Sequence, residues 1–240
     1  MNILYLDCGM GAACDMLVAA LLELQPDPKK ALTEWNALRP ESARLATKTV
    51  RRFGTIGTQL LPAAWGTEER HVHTDFAAIS EAIDRIPVSD AVRTDARAIY
   101  RRLAEAEARV HGVSFEAVQF HEVGRMGAVE RITAFCWLMQ RIAPEETIVS
   151  PIRVGFGTVR CAHGILPVPA PATAELLAGC PTFAGEYEGE LCTPTGAAML
   201  TYYADRFGSM PSMQPRFAGY GIGTKELPAL GAVHAVLGTK

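Results

Sequence analysis

The sequence predicts an α+β or mixed α/β fold, with one main mixed sheet and a helical middle segment. Three observations point there. Strand and helix patterns are interleaved over the first 61 residues. Residues 74–142 carry helical spacing and caps almost throughout. β-type, glycine-punctuated segments then return over 147–161 and 215–238.

Residues 3–6 form a short apolar run that ends at Asp7 and is followed by a loop holding Gly9 and Gly11, a first strand. From Asp15 onward, Met16, Leu17, Ala20, Leu21 and Leu24 recur at helical spacing, and Pro26 and Pro28 close that segment. Residues 45–51 and 56–61 alternate on either side of Phe53-Gly54 and read as a hairpin. Asp75 caps a helix through Ile86, before Pro87. Ser89 or Asp90 caps a second that runs to His111-Gly112, and Ser114-Phe115-Glu116 opens a short third. Residues 126–142 make one more apolar helix, stopped by Pro144. Residues 147–154 read as a strand, with 156–161 as its partner across Gly155. Pro167, Pro169 and Pro171 force an extended, rigid connection over 162–173. Helices are expected at 173–177 and 194–207, and two strands over 215–238 around the glycine-rich stretch 219–223. No internal repeat or linker interrupts the chain.

Composition narrows the function. Hydrophobic residues make up 49% of the 240 and charged residues 20%, which excludes disordered and fibrous classes. The balance of 23 Lys and Arg against 26 Asp and Glu leaves no broad basic field, so neither nucleic acid nor a membrane surface is an expected partner. The six cysteines form no CxxC pair, no apolar run reaches bilayer length, and the N-terminus lacks a basic signal region. A reduced, cytoplasmic protein is expected. Walker A, dinucleotide, Gly-x-Ser-x-Gly, HExxH and kinase patterns are absent.

Several segments could carry chemistry. Asp7 and Asp15 flank a glycine loop between a strand and a helix, where open sheets hold ligands; a tight turn with Asp15 as cap explains the same pattern. His71 and His73 share one face of an extended segment, a pairing that suits Ni²⁺ or Zn²⁺, although a polar loop before a helix reads the same way. His121 and Glu122 offer an imidazole and a carboxylate, or a solvated loop with an acid near a helix start. Cys161 and His163 leave a strand on a shared face, a borderline-soft metal pair or a buried thiol beside a structural histidine. Thr193, Thr195 and Gly196 open a helix after Cys192, a phosphate cradle or an ordinary cap. Gly219 to Lys225 permits close backbone approach and supplies one cation, or is simply a glycine-rich bend.

Taken together, these segments resemble one known family. The run Cys161-Ala162-His163-Gly164-Ile165-Leu166-Pro167-Val168-Pro169-Ala170-Pro171-Ala172-Thr173 is similar to the distinctive signature of the LarC nickel-insertion family. Tyr5-Leu6-Asp7 through Asp15-Met16, His71-x-His73, Phe120 to Gly124, Gly189 to Ala198 and Gly219 to Thr224 agree in order, so the likeness runs from about residue 2 to 238. The resemblance implies one N-terminal nickel-insertion module over residues 1–240, without the C-terminal module associated with CTP. It implies insertion of Ni²⁺, as the substrate ion, into pyridinium-3,5-bisthiocarboxylic acid mononucleotide during maturation of the nickel pincer cofactor of lactate racemase. CTP, with a divalent ion, would enter only through a separately encoded partner module, and a homo-oligomer is open. By this resemblance Asp7, Asp15 and Glu122 are the catalytic candidates, and Gly11, Thr193, Thr195 and Gly196 meet the mononucleotide. His71, His73, His121, Cys161 and His163 are the candidate nickel ligands. Gly127 and Arg131 stand where the family usually carries two aspartates, Met10 and Cys14 replace small residues, and Ala235 stands for a common arginine. A diverged scaffold that keeps the fold without the chemistry is the alternative these departures leave open.

Overall fold

Strand β1 (Asn2–Asp7) is an unbroken apolar run because it is buried on both faces: Ile3, Leu4, Tyr5 and Leu6 are all in the interior. The computed structural model describes residues 1–61 and 74–240. His71 and His73 lie outside the described residues. Helix α1 (Cys14–Glu23) follows β1 and is buried on nearly every side from Met16 to Leu22, which accounts for the apolar run there. Helix α2 (Pro28–Ala37) was not expected. Pro28, read from sequence as a terminator, occupies the first turn instead, with Asp27 accepting a hydrogen bond from the Lys30 N–H at 2.9 Å. The helix exists because Ala31 and Trp35 bury against the core, where the Trp35 ring packs 5.7 Å from that of Trp137.

The hairpin of β2 (Thr47–Arg52) and β3 (Thr55–Leu60) forms as its alternation and Phe53-Gly54 predict. Helices α3 (Phe76–Asp84) and α4 (Asp90–His111) are capped by Asp75 and Ser89, and α4 ends at Gly112 in the left-handed conformation. Val92, Ala96, Ile99, Tyr100 and Leu103 form its buried stripe. Each large side chain so buried contributes roughly 1.5–3 kcal/mol. Helix α5 (Met126–Ile142) packs on α1 and α4. Its Glu130 carboxylate accepts from the Arg39 Nε–H at 2.7 Å, a pair that is almost wholly buried.

The next segment departs from the sequence reading. Strand β4 (Glu146–Val149) stops before Pro151, and Ser150 leaves the ladder to accept from the Cys8 N–H at 2.8 Å. The chain then makes β5 (Ile152–Arg153), β6 (Gly155–Phe156), β7 (Thr158–Cys161) and β8 (Gly164–Pro167). Residues 156–161 therefore do not pair with 147–154. Gly155 and Gly157, both at positive φ, turn the backbone so that β7 pairs with β8 instead. The expected extended connection 162–173 is thus partly a hairpin arm. Beyond it come α6 (Pro171–Leu176), β9 (Thr182–Phe183), paired to β5, and β10 (Gly189–Glu190), paired to β6.

Helix α7 (Pro194–Tyr203) is shorter than expected. Asp205 accepts from the Thr147 N–H at 2.7 Å, which pulls the chain into β11 (Arg206–Phe207) beside β4. Strand β12 (Gln214–Ile222) runs straight through the glycines that were expected to bend, and β13 (Ala232–Thr239) returns antiparallel to it. A Cβ on Gly219 would lie 2.1 Å from that of Glu23, and one on Gly221 would lie 1.8 Å from the Met16 carbonyl oxygen. These glycines exist so that α1 can press onto the sheet.

Among the described residues the main sheet has seven strands in the order β11-β4-β1-β13-β12-β3-β2 and is mixed, as predicted. β1 runs parallel to β4 and antiparallel to β13, while β12 runs parallel to β3. The main core lies between one sheet face and the helices, and a small apolar cluster of Ile3, Tyr5, Ile148 and Val236 covers part of the other face. No helix of the described residues is long and apolar enough to cross a membrane.

Candidate functional site

The loop after β1 and the segment 189–193 are laced together. The Ala12 N–H donates to the Leu191 carbonyl at 2.9 Å, and the Thr193 N–H donates to the Ala12 carbonyl at 3.0 Å. Two glycines permit this. A Cβ on Gly11, at φ +95°, would meet the Leu191 oxygen at 2.2 Å, and one on Gly196 would meet the Ala12 oxygen at 2.4 Å. Their missing side chains are therefore accounted for by backbone packing, and this lacing sets the starts of α1 and α7 side by side.

Beside this junction opens a cleft of about 420 Å³. The end of α4 brings Glu107 and His111, the loop before α5 brings His121, and the β7–β8 hairpin brings Cys161 and His163. Cys161 pairs with Gly164 across the hairpin, so Ala162-His163 form its two-residue turn rather than an extended exit. The His163 ring meets that of His121 at 4.5 Å between centroids, edge to face, and that of His111 at 4.9 Å. His111 Nε2 lies 3.3 Å from a Glu107 carboxylate oxygen. The same cleft is also lined by Arg131 from α5, Cys14 from α1, and Thr193 and Thr195 at the start of α7. Thr193 caps α7 by accepting from the Gly196 N–H at 3.2 Å, and its hydroxyl stands 3.1 Å from that of Thr195. Capping and a place in the cleft are thus held by the same residue.

A smaller recess of about 150 Å³ adjoins, sharing Glu190 and Thr193 and adding Asp15, Met10 and Lys225. Asp15 is in the first turn of α1 but does not cap it; Ala13 holds that position. Burial pushes the Asp15 carboxyl above the ordinary range, against the pull of Arg131. Burial likewise pushes the Cys14 thiol up to about 12, so it stays a neutral thiol.

The structure therefore brings together His121, Cys161, His163, Thr193 and Thr195. It sets Asp7 elsewhere: its carboxylate accepts from the Gly9 N–H at 2.8 Å, and in register it faces His234, whose ring stacks on Tyr220 at 4.3 Å. Glu122 belongs to a short 3₁₀ turn, Glu122–Gly124, ahead of α5. His111 was missed from sequence, where it read only as the basic end of a helix. The clue available was its position beside Gly112, a helix end that the chain must leave sharply. Among the described residues, no three His, Cys, Asp or Glu side chains form a ready-made metal cage. The arrangement is an open row of donors, with hydroxyls and a helix start in the same cleft. Such a set can hold a borderline ion loosely and an anionic group beside it.

Comparison with known proteins identifies the family. The family model described as "Nickel insertion protein" matches residues 4–239. The chain is 40% identical to a pyridinium-3,5-bisthiocarboxylic acid mononucleotide nickel insertion protein of Desulfitobacterium hafniense (strain DSM 10664 / DCB-2), over 95% of this chain and 56% of that protein. It is 35% identical to the protein of the same description from Geobacillus kaustophilus (strain HTA426), over 95% of this chain and 57% of the relative. The chain thus spans little more than half the length of these curated relatives. No solved structure matches it.

Proposed function

The chain belongs to the nickel insertion protein family, and on that premise we propose that it takes part in inserting Ni²⁺ into pyridinium-3,5-bisthiocarboxylic acid mononucleotide. The observation that carries this reading is the row of His111, His121 and His163 imidazoles beside the Cys161 thiol in one cleft. Imidazole and thiolate suit Ni²⁺, and an incomplete donor set suits an ion that must be handed on. A closed cage of four ligands would trap it.

In this reading Ni²⁺ is the substrate ion and the cleft histidines and Cys161 are its transient ligands. The thiocarboxylate sulfurs of the acceptor compete with them and draw the ion away. Thr193, Thr195 and the first turn of α7 face the mononucleotide's phosphate. His71, His73 and Glu122 remain candidates as further donors, and Asp15, whose carboxyl burial pushes above the ordinary range, is a proton-handling candidate at the cleft margin. Asp7 is a weaker candidate, because its side chain belongs to the far face of the sheet. CTP, which the family resemblance associates with a second module, is assigned to that module and not to residues of this chain.

The test is Ni²⁺ bound per reduced chain by equilibrium dialysis, wild type against His163→Ala, with circular dichroism to confirm folding. Specific binding in the wild type that the variant loses supports the reading. Absence of binding, or binding unchanged in the variant, overturns the assignment of His163 and favours a diverged scaffold.

A further inference from the structure

We infer that Arg131 makes the large cleft an anion-recognising one, its guanidinium gripping a phosphate monoester together with the hydroxyls of Thr193 and Thr195. Arg131 stands on the second turn of α5 and lines the same cleft as the histidine row. Its Nε is buried without a hydrogen-bond partner, and no ion pair links it to any described residue. A buried, unmatched Nε–H on a half-buried arginine costs stability unless something satisfies it, and the planar fork of guanidinium donors matches phosphate oxygens.

Among the described residues no ion pair joins Arg131 to Asp15, Glu107 or Glu190, the acids of this cleft and its adjoining recess. Asp15 feels its charge, yet burial outweighs that attraction and the carboxyl remains above its ordinary range. Glu107 is engaged by His111. In the same cleft the first turn of α7 leaves the Thr195 N–H, since Pro194 has none and the Gly196 and Ala197 N–H groups donate to Thr193, and Thr195 Oγ1 is a further donor beside the capping Thr193. A cation, two hydroxyls and a helix start form the chemistry of a phosphate site. The same cation repels Ni²⁺, so the two ends of the cleft divide the ligand: metal toward the imidazoles, phosphate toward Arg131.

This inference rests on the nickel-insertion reading for the kind of ligand, but its test needs no nickel. Nicotinamide mononucleotide and nicotinamide riboside, which differ only by the phosphate, are titrated calorimetrically into metal-free wild type, Arg131→Gln and Arg131→Lys, with ribose 5-phosphate as a competitor. The expected result is that the nucleotide binds wild type more tightly than the riboside does and that ribose 5-phosphate competes. Arg131→Gln should weaken the nucleotide at least about tenfold and Arg131→Lys less, with the riboside unaffected. Equal affinity of wild type and Arg131→Gln, equal loss for nucleotide and riboside, or no binding of either to wild type overturns it. Thermal melts show whether a variant has simply unfolded, and the lysine variant, which keeps the charge, guards against that outcome. Nickel dialysis on Arg131→Gln separates the two claims. Retained Ni²⁺ binding with lost nucleotide binding supports both. Nucleotide binding that depends on Arg131 in a chain that never binds Ni²⁺ sinks only the nickel reading.

Discussion

His121 and His163 meet edge to face at 4.5 Å, one from a loop before a helix and the other from the turn of a small hairpin. Among the described residues no strand pairing links the two segments, and the ring contact joins them across the cleft. His111 completes the row from the end of α4. Replacing His111 with Ala should therefore lower Ni²⁺ affinity by about tenfold or more, comparable with the loss in His163→Ala. Parallel dialysis of the two variants checks this, and an unaffected His111→Ala would remove that residue from the ligand row.

The six thiols are all unpaired but not equally reachable. Cys8, Cys14, Cys136 and Cys192 are buried, whereas Cys161 and Cys180 are partly exposed. Iodoacetamide on the native protein should alkylate Cys161 and Cys180 and spare the other four. Added Ni²⁺ should then slow Cys161 while leaving Cys180 unchanged. Peptide mass mapping over time measures both rates; equal protection of the two would show that the ion does not meet Cys161.

Burial lowers the His234 imidazole below its ordinary value, an effect that outweighs the attraction of Asp7. In the folded state this group therefore binds protons less readily than in the unfolded chain, and protonation favours unfolding. Stability should fall as the pH drops below about 6.5 and level off beneath the folded-state value. Asp15 and Glu130, both raised, act with the opposite sign, since protonation relieves them. Urea unfolding at a series of pH values should show the slope setting in below about 6.5, and His234→Asn should flatten it.

Gly221 admits no side chain without moving helix α1, because the added carbon would lie 1.8 Å from the Met16 carbonyl oxygen. Gly221→Ala should destabilise the protein by about 1–3 kcal/mol or more. Gly54→Ala is the contrast: a Cβ there meets nothing, and only the positive φ is at stake. Denaturant midpoints of the two variants test the difference, which should favour Gly54→Ala.

Most helices were legible because their signals are local. Asp75, Ser89 and Thr193 cap where the sequence places them, and the stripe on α4 has helical spacing. The errors have a common cause, a residue whose role is set by a distant neighbour. Gly219 and Gly221 resemble a bend until α1 is packed on them. Residues 156–161 resemble the partner of 147–154 until Gly155 and Gly157 redirect the chain. Pro28 is an ambiguous letter, a stop for one helix or the first turn of the next, and only the burial of Ala31 and Trp35 decides. The site follows the same rule. Cys161 and His163 stood out as a local motif, but His111 acquires meaning only through a ring reached across the fold.

Strand β13 is not an edge of the main sheet but sits between β1 and β12. Without residues 232–239 the first strand and the β12 side of the sheet cannot be joined, and each presents unpaired backbone groups flanked by apolar side chains. The sheet is sealed by pairing residues 2–7 with residues 234–239, a non-local closure that folds slowly and leaves apolar surface open until it is made. Aggregation of any product truncated before β13 follows from where that one strand lies.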